Sequence, residues 1–170
     1  MSNTGKILVV DDSISIRVSI HQLLSPHYSV QTADSGEAAL TVIGDFPPDI
    51  VLLDVTMGGM DGYAVCRQIR RDESLGFVKI IMVSSRAGLA ERLKGYDAGA
   101  DDYITKPFQD EELLAKVGVF LRLKSVEDQL RRLNDTLQEQ VQLRTEQLLQ
   151  AERLAAIGRH AAGIVHNLNT

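Results

Sequence analysis

Four short apolar runs in this chain of 170 residues lead directly into groups able to do chemistry. Ile7-Leu8-Val9-Val10 ends at the acidic pair Asp11-Asp12, and Ile50-Val51-Leu52-Leu53 ends at Asp54. Ile80-Ile81-Met82-Val83 is followed by Ser84-Ser85, and Tyr103-Ile104-Thr105 by Lys106-Pro107. Runs of this length and composition read as parallel strands buried on both faces. In open α/β sheets the carboxyl ends of such strands form the ligand-binding edge. Three carboxylates and one lysine gathered there make a site for a divalent metal and a phosphoryl group.

Positioning those groups requires strands that alternate with helices. Strand-like runs fall at 6–10, 29–33, 50–53, 79–83 and 102–105. Between the first two, Ile16, Ile20, Leu23 and Leu24 recur at helical spacing from Ser13 to Leu24. Asp34 is placed to cap the second helix, with Glu37 closing a capping box before Ala38, Ala39, Leu40 and Ile43. Asp61-Gly62 reads as a turn that starts a third helix over Tyr63–Arg71, and a fourth runs from Leu89 to Ala98, stopped by Gly99. This alternation predicts an α/β fold, a five-stranded doubly wound parallel sheet covered on both faces.

Taken singly, each group has a plainer reading: an aspartate after a strand often caps a helix, and a lysine before proline often decorates a loop. In order, however, Asp11-Asp12, Asp54-Val55-Thr56-Met57-Gly58-Gly59-Met60-Asp61-Gly62, Ser84 and Lys106-Pro107-Phe108 resemble the receiver domain of two-component response regulators, over roughly residues 5–121. The resemblance implies a flavodoxin-like fold with Asp54 as phospho-acceptor and Mg²⁺ as cofactor. Asp12 would ligate the metal directly and Asp11 mainly through water. Asp54 and the backbone carbonyl of Thr56 complete the protein ligands. Lys106 would pair with one phosphoryl oxygen and Ser84 with another, although the residues alone leave open whether Ser84 or Ser85 faces the site. The Lys106–Pro107 bond is, by the same resemblance, a candidate cis peptide. Ser84 and Tyr103 would form the switch, and the donor would be an upstream histidine kinase, a phosphotransfer protein or a small phosphodonor. One departure is Gly58-Gly59 where receivers often carry proline after the methionine, which predicts a more flexible loop.

Composition narrows the partners. Residues 1–121 carry 11 Lys/Arg and 17 Asp/Glu, a net −6, whereas residues 122–170 carry 7 and 6, a net +1. An acidic globular part lacks the basic footprint of a nucleic-acid binder. The single cysteine, Cys66, excludes an internal disulfide framework, fits a reducing compartment and is expected in the core. No stretch reads as a membrane span or a signal peptide, so the expected setting is cytoplasmic, with no membrane partner.

The fifth helix starts near Asp110-Glu111-Glu112, acids suited to a helix N-terminus, and no stop signal follows. Leu123, Val126, Leu130, Leu133 and Leu137 repeat at alternating spacings of three and four; Val141 then comes four residues on, a stutter. A helix with such a seam wants a partner. Residues 122–152 are therefore expected to form a parallel coiled coil and a homodimer, the alternative being a monomeric amphipathic tail. Residues 153–170, with Glu152 just before them, resemble the phospho-acceptor helix of sensor histidine kinases, and His166 stands where the phosphorylated histidine would be. His160 is read as an ordinary helix residue. Asn167 replaces the acid common beside that histidine, and Thr170 stands where related kinases place Thr or Asn to aid dephosphorylation of a partner receiver. No glycine-rich ATP lid occurs, so the expectation is the N-terminal part of a longer histidine kinase whose ATP-binding domain is absent from these residues. A non-enzymatic dimeric adaptor that docks a separate protein through its stalk is the competing reading. A DNA-binding regulator is disfavoured, since no helix-turn-helix follows the receiver-like part.

Overall fold

Alternate residues of a strand point to opposite faces of its sheet, and the apolar runs supply apolar groups to both. A computed structural model describes residues 5–86 and 88–168. Its strands are β1 (Lys6–Val10), β2 (Ser29–Ala33), β3 (Ile50–Asp54), β4 (Lys79–Ser84) and β5 (Asp102–Thr105), all parallel, in the order β2-β1-β3-β4-β5. β3 and β4 are buried throughout, and β1 in all but its first residue. β2 lies at an edge, and its Ser29, Gln31 and Thr32 are exposed.

The helices are α1 (Ile14–Leu24), α2 (Gly36–Asp45), α3 (Gly62–Arg71), α4 (Leu89–Asp97) and α5 (Asp110–Leu168), with a short 3-10 turn at Glu73–Leu75. On one face of the sheet Leu8, Val10, Val51, Leu53, Ile80 and Met82 pack with Ala39 and Ile43 of α2 and Val65, Cys66 and Ile69 of α3. On the other, Ile7, Val9, Ile50, Leu52, Ile81 and Val83 pack with Ile20 and Leu24 of α1 and Leu113 and Val117 of α5. The doubly wound sheet is as expected.

The cap of α2 is not. Ser35, with extended backbone at φ −155° and ψ 163°, directly precedes Gly36 and accepts the Ala38 N–H at 3.2 Å. A capping side chain must sit immediately before the first helical residue, and Asp34 is one position too early. The residue three beyond Ser35 is Ala38, so no capping box closes. Asp61 does cap α3, accepting the Ala64 N–H at 2.8 Å.

Residues up to Ser125 form one compact unit and those from Val126 another. Within the second, Val126, Leu130, Leu133, Leu137 and Val141 lie 50–65% exposed along α5. No described helix is long and apolar enough to cross a membrane.

Candidate functional site

Parallel register is what gathers the chemistry. Val10 pairs with Leu53, Asp54 with Val83 and Ser84 with Thr105, so the residues that end or follow β1, β3, β4 and β5 emerge on one edge. Carboxylate oxygens of Asp11, Asp12 and Asp54 lie within 4.8 Å of one another. Asp11 and Asp54 are almost fully buried, at 2% and 6% exposure, while Asp12 is exposed. The Lys106 ammonium donates to Asp11 Oδ2 at 2.6 Å and stands 3.4 Å from Asp54 Oδ1. The backbone takes part as well. The Ser13 N–H donates to Asp11 Oδ1 at 2.9 Å and the Thr56 N–H to Asp54 Oδ1 at 3.4 Å. The Lys106–Pro107 peptide is cis.

Burial raises the Asp54 pKa above its ordinary range; the nearby Lys106 opposes this, Asp11 adds to the rise, and the Thr56 N–H opposes it. Crowded acids facing one lysine are a chemically suitable cradle for a small hard cation. Mg²⁺ takes oxygen ligands and keeps part of its water shell, and the exposed Asp12 leaves the cluster accessible to water.

The two serines separate clearly. Ser84 is fully buried and its Oγ accepts the Arg86 N–H at 3.1 Å, whereas Ser85 is exposed. Ser85 lines a groove of about 630 Å³ together with Ser15, Ile16, Lys106 and Phe108. Tyr103 is 6% exposed, and its hydroxyl donates to the Arg86 carbonyl at 2.6 Å. Cys66 is in the core, donating to the Ala98 carbonyl at 3.2 Å, and burial pushes its thiol up to about 11. His166 lies in the last turn of α5, outside the carboxylate cluster, and Thr170 lies outside the described residues.

Sequence reasoning missed three contributors. Arg17, on α1, donates to the Asp11 carbonyl at 2.7 Å and steadies the acidic loop. Gly62 packs so tightly that a Cβ there would fall 2.3 Å from the Asp54 carbonyl oxygen; the Asp61-Gly62 turn signalled a bend but not this approach. Arg86 ties both Ser84 and Tyr103 through its backbone, which leaves no mark on residue type.

Residues 7–118 match the family model described as the response regulator receiver domain. The chain belongs to that family. The receiver is 39% identical over 129 residues to the response regulator PleD of Caulobacter vibrioides, a match covering 75% of this chain and 28% of that one. Across PleD and other curated relatives, the chain spans from about a quarter to about half of their length. Among solved structures, the BeF3-activated DrrB receiver domain is 36% identical with a TM-score of 0.64, covering 70% of this chain and 98% of that one. The signal receiver domain of a signal transduction histidine kinase from Syntrophus aciditrophicus is 30% identical with a TM-score of 0.65, covering 70% and 91%. Receivers take phosphate from histidine kinases or phosphotransfer proteins and generally bind Mg²⁺ at an acidic pocket, so this chain's receiver is a unit of two-component phosphorelay signalling.

Proposed function

We propose that Asp54 is the phospho-acceptor and that its phosphorylation state is passed along α5 to a histidine kinase module. The observation that carries the first part is the juxtaposition of Asp54 with Asp11, Asp12 and Lys106. An Asp54 carboxylate oxygen attacks phosphorus, and the bond from phosphorus to the donor's imidazole nitrogen, or to the leaving oxygen of a small phosphodonor, breaks. Asp11, Asp12, Asp54 and the Thr56 carbonyl would hold Mg²⁺, which when bound neutralises phosphoryl charge. Lys106 supplies a charge-assisted donor to one phosphoryl oxygen. Ser84 supplies its hydroxyl proton to another, since its Oγ already accepts from Arg86 and its own hydrogen remains available. Ser84 and Tyr103 then report the phosphoryl group to α4 and α5 through a shift between two arrangements.

The exposed seam of α5 supports a parallel homodimer through residues 122–152. Residues 153–170 are read as the start of a phospho-acceptor helix bearing His166. The resemblance of residues 153–170 to that helix, with His166 at the acceptor position, favours this over an adaptor. Asn167 stands where the acid is common in such helices, and a side-chain amide cannot act as a base toward His166. Attack on ATP would therefore depend on a base from elsewhere.

Intact mass after incubation with acetyl phosphate and Mg²⁺ tests the phospho-acceptor. One phosphoryl increment is expected, absent in Asp54→Asn and abolished by chelating Mg²⁺. No increment on a folded chain would overturn the reading.

A further inference from the structure

Helix α4 is weakly anchored by its own sequence. Its N-cap is Gly88, which offers no capping side chain, and its only buried residue is Gly95. Leu89, Leu93 and Tyr96 are 46–73% exposed. An element with so few buried apolar groups belongs to the low-stability end of a fold unless something else holds it.

A polar tether does so from α3. The Tyr63 hydroxyl is 2.8 Å from Glu91 Oε2 and 3.3 Å from the Glu91 carbonyl, in the first turn of α4. Glu91 also pairs with Lys94 at 3.1 Å and faces Arg86 at 3.9 Å. Both ends of the tether register the contact. Burial and the Glu91 carboxylate push the Tyr63 hydroxyl pKa up. The Tyr63 hydrogen bond, aided by Lys94, pulls Glu91 down.

What α4 holds in turn is the switch tyrosine. A Cβ on Gly95 would lie 3.5 Å from Tyr103 Cδ2, and the Arg92 guanidinium sits 6.0 Å from the Tyr103 ring centroid. Tyr103 is hydrogen-bonded to the Arg86 carbonyl, and the Arg86 N–H is bonded to Ser84 Oγ. The other end of the tether begins beside the nucleophile, because Gly62, adjacent to Tyr63, packs on the Asp54 backbone.

We infer that Tyr63 is a positioning residue for the phosphoryl response. It pins the first turn of α4 and thereby favours the arrangement in which Tyr103 is buried and Ser84 is tied to Arg86. This rests on the reading of Asp54 as phospho-acceptor. A contact present in one arrangement and broken in the other shifts their balance by its differential free energy. Ser84 tied to Arg86 keeps its own hydrogen for the phosphoryl group, so this is the arrangement a phosphoryl mimic selects. Losing the Tyr63 hydroxyl weakens that binding without touching the metal ligands.

The test uses the full chain with Tyr63→Phe, beryllofluoride as the mimic and Mg²⁺, read by calorimetric titration and by hydrogen exchange of residues 84–97. Expected is a beryllofluoride affinity lower by about fivefold, the low end of site coupling, with Mg²⁺ affinity unchanged and cooperative unfolding retained. Faster exchange in α4 is expected as well, even without ligand. Glu91→Ala should weaken beryllofluoride binding as well, and the double variant should fall short of the sum of the two losses, because the Tyr63–Glu91 side-chain contact is shared between them. The inference is overturned if Tyr63→Phe keeps native beryllofluoride affinity and native α4 exchange. A fall in Mg²⁺ affinity alongside beryllofluoride also overturns it, since that marks general damage. If the native chain binds no beryllofluoride, the phospho-acceptor reading fails instead. The ligand-free exchange of α4 then still decides for or against the tether.

Discussion

Lys106 reaches from the end of β5 to the end of β1, where its ammonium donates to Asp11 Oδ2 at 2.6 Å across a sequence separation of 95 residues. The same nitrogen is 3.4 Å from Asp54, so one cation serves two nearly buried carboxylates. Removing one member of a buried pair strands its partner at low dielectric. Lys106→Met is expected to cost about 3 kcal/mol in chelator, the lower end for such a loss, because Asp54 can take up a proton in compensation. Urea unfolding in chelator and in Mg²⁺ checks this, with part of the loss recovered when a bound cation replaces the missing charge. Acetyl phosphate labelling should slow by about 100-fold, as for loss of one preorganised donor to transition-state charge.

Asp54 itself predicts a pH dependence. Burial first, and Asp11 in addition, raise its folded pKa above the ordinary 3.8, against the pull of Lys106 and the Thr56 N–H. A carboxyl whose folded pKa lies above its unfolded value binds its proton more tightly when folded. The stability linked to that proton is fully present below 3.8 and is lost as pH rises through the folded value. At neutral pH the ionised group is thus unfavourable relative to the unfolded chain. Asp54→Asn should melt higher than the native chain at neutral pH in chelator, and the gap should close as pH falls toward 3.8. Mg²⁺ should narrow the gap by stabilising the native chain alone. A gap that widens on acidification would contradict the sign.

Four of the strands were legible because an apolar run in each leads straight into a charged or hydroxyl group, which marked the residues that leave the sheet at its carboxyl edge. β2, an edge strand with Ser29, Gln31 and Thr32 exposed, carries no such run. Asp11, Asp12, Asp54 and Lys106 converge there as their order along the chain suggests. Which serine faces inward was not legible, because both hydroxyls follow the apolar run Ile80-Ile81-Met82-Val83 directly; burial of Ser84 at the register position opposite Thr105 separates them. The α2 cap failed for a related reason: Asp34 and Ser35 are both good caps, and only the backbone shows which one directly precedes the first turn. The part played by Arg86 uses its peptide groups alone, so no reading of side chains could have found it.

Two glycines should respond to alanine with opposite signs. At Gly62 a Cβ would meet backbone, 2.3 Å from the Asp54 oxygen and 2.9 Å from Val55 Cα, and backbone cannot turn aside as a side-chain tip can. Gly62→Ala is expected to destabilise by about 3 kcal/mol through overpacking and to slow labelling of Asp54, whose loop must move. At Gly118, within α5, nothing lies within 4 Å of a new Cβ. Gly118→Ala should stabilise by about 0.8 kcal/mol through helix propensity. Paired urea titrations of the two variants give both signs.

Arg70 holds together the two loops that lead into β4 and β5. Its guanidinium donates to the Gly99 carbonyl at 2.8 Å, the Val78 carbonyl at 2.6 Å and Asp101 Oδ2 at 2.7 Å. Asp101 in turn accepts the Ile80 N–H at 2.8 Å. Methionine would keep the aliphatic stem and leave two carbonyls without this donor. Arg70→Met is expected to cost about 2 kcal/mol in urea unfolding, the scale of stranding partly buried acceptors, with Mg²⁺ affinity unchanged.

The stalk offers a prediction independent of the phosphoryl site. Leu130 and Leu133 are 65% and 57% exposed on α5, on the seam that repeats every three and four residues. Burying a leucine against a second helix is worth roughly 1.5–3 kcal/mol, and a parallel dimer buries each position twice. Native chain should sediment as a dimer, and Leu130→Glu with Leu133→Glu as a monomer, since like charges would then face each other across the seam. Labelling of Asp54 by acetyl phosphate should be the same in both, because the carboxylate cluster draws on β1, β3 and the residue after β5 alone. A native chain that sediments as a monomer would return α5 to an amphipathic helix awaiting another protein, and the adaptor reading would gain accordingly.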